Sequence, residues 1–110
     1  MSHLGEFEQL ILFSVLHLGD DAFGVSIREA IEERTGREVS AGAIYTTLGR
    51  LEDRGLVVSR VGEPTPGRAG RPRKYYSLEP VGAKALRDSY AAIQAMAGGL
   101  VPLLHDLAGG

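Results

Sequence analysis

The sequence predicts a mainly α fold with one small β-hairpin: a winged helix-turn-helix order of helix, helix, helix, strand, strand, followed by a C-terminal helix suited to dimerisation. Three observations carry that expectation. Three apolar-patterned stretches each stop at a glycine, the pattern then changes to β-branched alternation interrupted by Gly and Pro, and Pro80 opens a last helical stretch. A chain of 110 residues has room for one modest core, so any further large apolar surface must come from another chain.

EFEQLILFSVLHLG has too many consecutive apolar residues for strand alternation and ends on Gly19, so it reads as a buried first helix over Glu6 to Leu18. Phe23, Ile27, Ala30 and Ile31 then recur at helical spacing opposite Arg28, Glu29, Glu32 and Glu33, giving a second helix that stops near Thr35 and Gly36. Ser40 is placed to cap a third helix, whose stripe is Ile44, Leu48 and Leu51 and whose stop is Gly55. LVVSRV from Leu56 and KYYSL from Lys74 read as strands. The eleven residues between Gly62 and Pro72 include six Gly or Pro, which suits a hairpin tip because proline cannot donate to a ladder. The expected division is a winged helix-turn-helix over residues 1–79 and a dimerisation helix over residues 80–110.

Composition excludes several chemistries. There is no cysteine, hence no disulfide, thiolate zinc site or cysteine nucleophile, and a reducing cytoplasm is compatible with that. The apolar run Leu10 to Leu18 is half the length needed to span a bilayer, and the acidic N-terminus MSHLGEFEQ does not resemble a secretory signal. The expectation is a soluble cytoplasmic protein with no membrane partner. His3, His17 and His105 are scattered without ligand spacing, and the acidic pairs are adjacent in sequence, which suits solvated faces. No metal, cofactor or catalytic set is expected, and no enzyme.

The net charge of -2 is unevenly spread. Ser40 to Tyr76 carries seven cations against three anions, a local +4, and the remainder carries a local -6. Arg68, Arg71, Arg73 and Lys74 crowd into seven positions of the hairpin. Such asymmetry suits a polyanion-binding face on an acidic body, the alternative being a solvated basic loop. Outside its core stripe, the third helix shows Ala41, Gly42, Tyr45, Thr46, Gly49, Arg50 and Asp53. A merely solvated face would carry long charged residues of good propensity, whereas each glycine costs about 1 kcal/mol against alanine. Small residues permit close approach, and Tyr45, Thr46 and Arg50 carry donors suited to phosphates and base edges and are expected to read bases, with Ser40 and Gly42 near the backbone. This is the arrangement of a recognition helix and wing; the alternative is a structural helix with an idle face.

GAIYTTLGRLEDRGLV, GRPRKYYSLEPVGAKAL and GVSIREAIEERTG together resemble the PadR family of bacterial transcriptional regulators, over roughly Leu10 to Leu86. The chain departs from the family's usual pattern at Thr46, commonly Pro, and at Glu79 to Gly82. The resemblance implies a repressor-like homodimer on double-stranded DNA, dimerised through the C-terminal helix, and it admits a small aromatic effector bound in the dimer. Independently, Leu86, Tyr90, Ile93, Ala97, Leu100, Leu104 and Leu107 are spaced 4, 3, 4, 3, 4 and 3, a heptad-like seam. Gly98, Gly99 and Pro102 interrupt it, so a kink or two consecutive helices are expected. The rival from another class is a winged helix used to dock proteins, with DNA binding lost.

Overall fold

The computed structural model describes residues 3–63 and 72–109. The first helix, α1 (Glu6–Leu18), opens with the Gly5 amide donating to Glu8 Oε1 at 2.9 Å, and Glu6 and Glu8 put negative charge at its amino end. Its buried residues are Gln9, Ile11, Leu12, Ser14 and Val15, while Leu16 and His17 are exposed. The helix is therefore buried on one face and not all round; the many consecutive apolar residues concealed its amphipathicity. Gly19, at φ 58°, starts a single 3-10 turn (Gly19–Asp21) and does not close α1 with a simple left-handed cap.

Helix α2 (Gly24–Thr35) is opened by Ser26, whose hydroxyl accepts from the Phe23 amide at 3.0 Å, and ends on Gly36 in the left-handed region. Helix α3 (Ala41–Asp53) has the expected cap, Ser40 Oγ accepting from the Ala43 amide at 3.0 Å. Its end is a Schellman turn: Leu56 N donates to Leu51 O at 3.0 Å and Gly55 N to Glu52 O at 2.9 Å. Leu51 and Leu56 are both buried, so the turn that stops the helix also aims the next strand into the core.

Strands β1 (Val57–Val61) and β2 (Lys74–Leu78) pair antiparallel, Val57 opposite Leu78 and Val61 opposite Lys74. On its other side β2 meets the chain just before α2: Phe23 bridges Tyr75, and Tyr76 N donates to Ala22 O at 2.8 Å. The hairpin is thus tied to the start of α2 as well as following α3.

Helix α4 (Pro80–Ala97) has Pro80 in its first turn, where a missing N–H costs nothing, and ends on Gly98 in the left-handed region. A second, short helix α5 (Val101–Leu107) follows, so the chain breaks in two at the glycines. Gly82 is needed for packing: a Cβ there would lie 2.1 Å from Leu56 O. Gly82, Ala85, Leu86 and Ser89 are buried, and Ser89 Oγ accepts from the amide of the fully buried Leu4 at 3.1 Å. The core joins Leu4, α1, α2, α3, both strands and the first half of α4. The first turns of α4 thus share the core of the elements before residue 79, and α4 becomes exposed after Ser89. The radius of gyration of 16.1 Å exceeds the roughly 13 Å of a compact domain this size because that arm projects.

Candidate nucleic-acid interface

On α3, Ile44, Leu48 and Leu51 are fully buried, and Thr47 joins them. Ala41, Gly42, Tyr45, Thr46, Arg50 and Asp53 are exposed and Gly49 is half-buried, so the small polar face lies outward. Neither Gly42 nor Gly49 is required by the fold: a Cβ at either would meet nothing within 4 Å, and neither has a positive φ. Arg50 forms no ion pair among the described residues.

Tyr45 is 53% exposed, yet its ring is not free. It lies across Gly24, the first residue of α2, so closely that a Cβ there would be 2.5 Å from Tyr45 Cε1, Cζ and the hydroxyl oxygen. Two rings flanked by two cations form the root of the wing. The Arg60 guanidinium is 4.6 Å from the Tyr75 ring centre, Tyr75 meets Phe23 edge-on at 5.5 Å, and the Arg73 guanidinium is 4.2 Å from the Phe23 ring centre. A Cβ on Gly62 would strike Tyr75 at 2.5 Å, so Tyr75 is enclosed as a support of the wing.

On the other face of the hairpin, Glu52 of α3 reaches both strands. Ser59 Oγ of β1 donates to Glu52 Oε2, and Lys74 Nζ of β2 stands 3.2 Å from Glu52 Oε1. The Ser59 hydroxyl, and next the Lys74 ammonium, hold the Glu52 carboxyl below its ordinary value; the bond to Glu52 in turn raises Lys74. Burial raises the Tyr76 phenol behind them.

These contacts revise several expectations. Lys74 is not an unmatched cation for phosphate, because Glu52 already balances it. Arg73 is half-buried and stacked on Phe23. Arg68 and Arg71 lie outside the described residues. Leu86, placed in the dimer seam by spacing, is 3% exposed in the chain's own core, since the first turns of α4 pack inward. Tyr90, Ile93, Leu100, Leu104 and Leu107 remain exposed and Ala97 half-buried, and Met96, Val101 and Leu103 widen the apolar surface. Phe23, Gly24, Glu52 and Arg60 were missed as parts of the site. A glycine in the first turn of a helix, poor in propensity, was the available signal for Gly24; Glu52 looked like an ordinary surface carboxylate.

Among the described residues no group of three potential ligands could hold a metal ion, and no helix is long and apolar enough to cross a membrane. Three helices, a hairpin packed behind the third, and a projecting C-terminal arm define a winged helix-turn-helix protein. The chain belongs to the transcriptional regulator PadR-like family, whose model matches residues 12–88. It is 41% identical over 66 residues to the transcriptional regulator Rv3488 of Mycobacterium tuberculosis, a match covering 58% of this chain and 56% of that protein. The match thus spans little more than half the length of that relative. Its fold is similar to that of a PadR family regulator from Eggerthella lenta, with a TM-score of 0.70 and 26% identity over 89% of this chain and 80% of that one. It is also similar to Bacillus subtilis PadR in complex with operator DNA, with a TM-score of 0.61 and 26% identity, covering 74% of this chain and 46% of that one.

Proposed function

We propose that the protein is a homodimeric, sequence-specific DNA-binding regulator of transcription, acting as a repressor in the cytoplasm. The observation that carries this reading is the outer face of α3. Its glycines, Gly42 and Gly49, have open space around them, so no contact among the described residues explains why better helix formers are absent. An external surface that must come close, such as the floor of a major groove, does explain it. On this reading Thr46 and Arg50 face base edges, while Ser40 and Gly42 lie near the phosphate backbone. Arg68 and Arg71 of the wing reach flanking phosphates or the minor groove.

The exposed apolar surface of α4 and α5 supports a two-fold dimer that would set two α3 helices about 34 Å apart, so the operator is an inverted repeat. A small aromatic effector is supported by two open apolar pockets of about 350 and 340 Å³ beside the edge-on pair Phe13 and Tyr90, whose centres are 5.4 Å apart. Tyr90 is the lone aromatic of α4, but α1 supplies it with a partner, Phe13.

Titrating duplex DNA at several salt concentrations tests the reading. Arg71→Ala weakens binding to every sequence and lowers the salt slope by about one, whereas Arg50→Ala relaxes base preference by about 1–3 kcal/mol at the position it contacts. If both variants bind all duplexes as the wild type does, the helix and wing serve a protein partner instead.

A further inference from the structure

We propose that Gly24, Tyr45 and Arg73 form a seat for one phosphate group of the DNA backbone, between the start of α2 and the root of the wing. The proposal rests on the DNA-binding reading above and takes Tyr45 from base recognition to backbone positioning. An open pocket of about 200 Å³ lies there, lined by Phe23, Gly24, Tyr45, Pro72, Arg73 and Lys74 among others, with no carboxylate in its lining.

Each member is arranged for an anion. The Tyr45 hydroxyl lies on α2 only because residue 24 has no side chain, so Gly24 positions it. Arg73 is held by stacking on the Phe23 ring; among the described residues it pairs with no carboxylate and its enclosed Nε has no hydrogen-bond partner. Stacking fixes the guanidinium plane while its Nε stays without a partner among the described residues, and a phosphate oxygen is the acceptor that such a fork pairs with. Lys74 lines the same pocket, but its ammonium is matched by Glu52, so the charge of the seat comes from Arg73. Tyr45 stands on the outward face of α3, which places the seat beside the presumed reading surface.

The experiment measures affinity for a random-sequence 20-bp duplex by fluorescence anisotropy across a range of KCl, for the wild type, Gly24→Ala, Tyr45→Phe, the double variant and Arg73→Ala, with a thermal melt of each. Gly24→Ala should fold as the wild type does, because its methyl group meets the far end of one flexible side chain. Gly24→Ala and Tyr45→Phe should each weaken binding about tenfold with the salt slope unchanged, and the double variant should bind no worse than either, since both remove one contact. Arg73→Ala should lower the slope by about one. Unaltered binding by Gly24→Ala and Tyr45→Phe, or penalties that multiply in the double variant, overturns the seat while leaving the DNA-binding reading intact. A wild type that does not bind the duplex overturns both. If inorganic phosphate raises the melting temperature of the wild type but not of Tyr45→Phe or Arg73→Ala, and duplex binding is indifferent to both substitutions, the seat belongs to a free anion and the backbone assignment is wrong.

Discussion

At the scale of single residues, Glu52 shows what charge counting misses. A carboxylate on a basic stretch reads as dilution of its charge, yet here it joins α3 to both strands of the hairpin. Its folded-state pKa lies below the ordinary 4.5, so its contribution to stability is present above that value and is lost as pH falls through the lower folded value. Lys74 is the mirror case: raised above 10.5 in the folded protein, its contribution is present below that pH and lost as pH rises through the folded value. Both side chains keep contact with water, which screens the pair. Glu52→Gln should therefore lower the melting temperature by only about 2–5 °C at pH 7, and the difference from the wild type should fade as pH drops below 4. An undiminished difference at pH 3 would mean that Glu52 acts through packing. The sequence announced the cations of this hairpin but not their use, because Arg60, Arg73 and Lys74 are each engaged by a residue distant in sequence: Tyr75, Phe23 and Glu52.

At the scale of elements, helix limits were legible wherever a local device sets them. Ser40, Gly36, Gly55 and Pro80 act through neighbours within a turn, so their chemistry is written in adjacent letters. The less buried flank of α1 was not legible, since half-buried Leu10 and Phe13 and exposed Leu16 belong to the same apolar stretch as Ile11 and Leu12, and only their neighbours in space distinguish them. For α3, the outward set read from periodicity lies outside, except that Gly49 is half-buried, and Ala43 is exposed as well. The two glycines give an element-level prediction with opposite signs. Gly42→Ala and Gly49→Ala should each stabilise the fold by up to about 1 kcal/mol in urea titrations, because alanine is the better helix former and nothing obstructs its methyl group. The same substitutions should weaken binding to duplex DNA if that face closes on a groove. Stabilised variants with undiminished DNA affinity would show the face to be idle.

At the scale of the whole molecule, the acidic body and basic edge implied by the charge pattern are joined in one core, and residues after Ser89 project from it with Ile93 at 58% and Leu100 at 51% exposure. Periodicity marked this exposed apolar stripe but could not separate Leu86, which is buried in the chain's own core, from Ile93 and Leu100, which are exposed. Ile93→Glu with Leu100→Glu should give a monomer in sedimentation velocity with an unchanged melting transition of the winged domain; a persisting dimer would place the interface elsewhere. The most direct test of the central claim is selection of binding sites from a random DNA pool with the wild-type protein. An enriched inverted repeat, with half-sites about one helical turn or a near multiple apart, is the predicted result. A pool that yields no enriched sequence would contradict it.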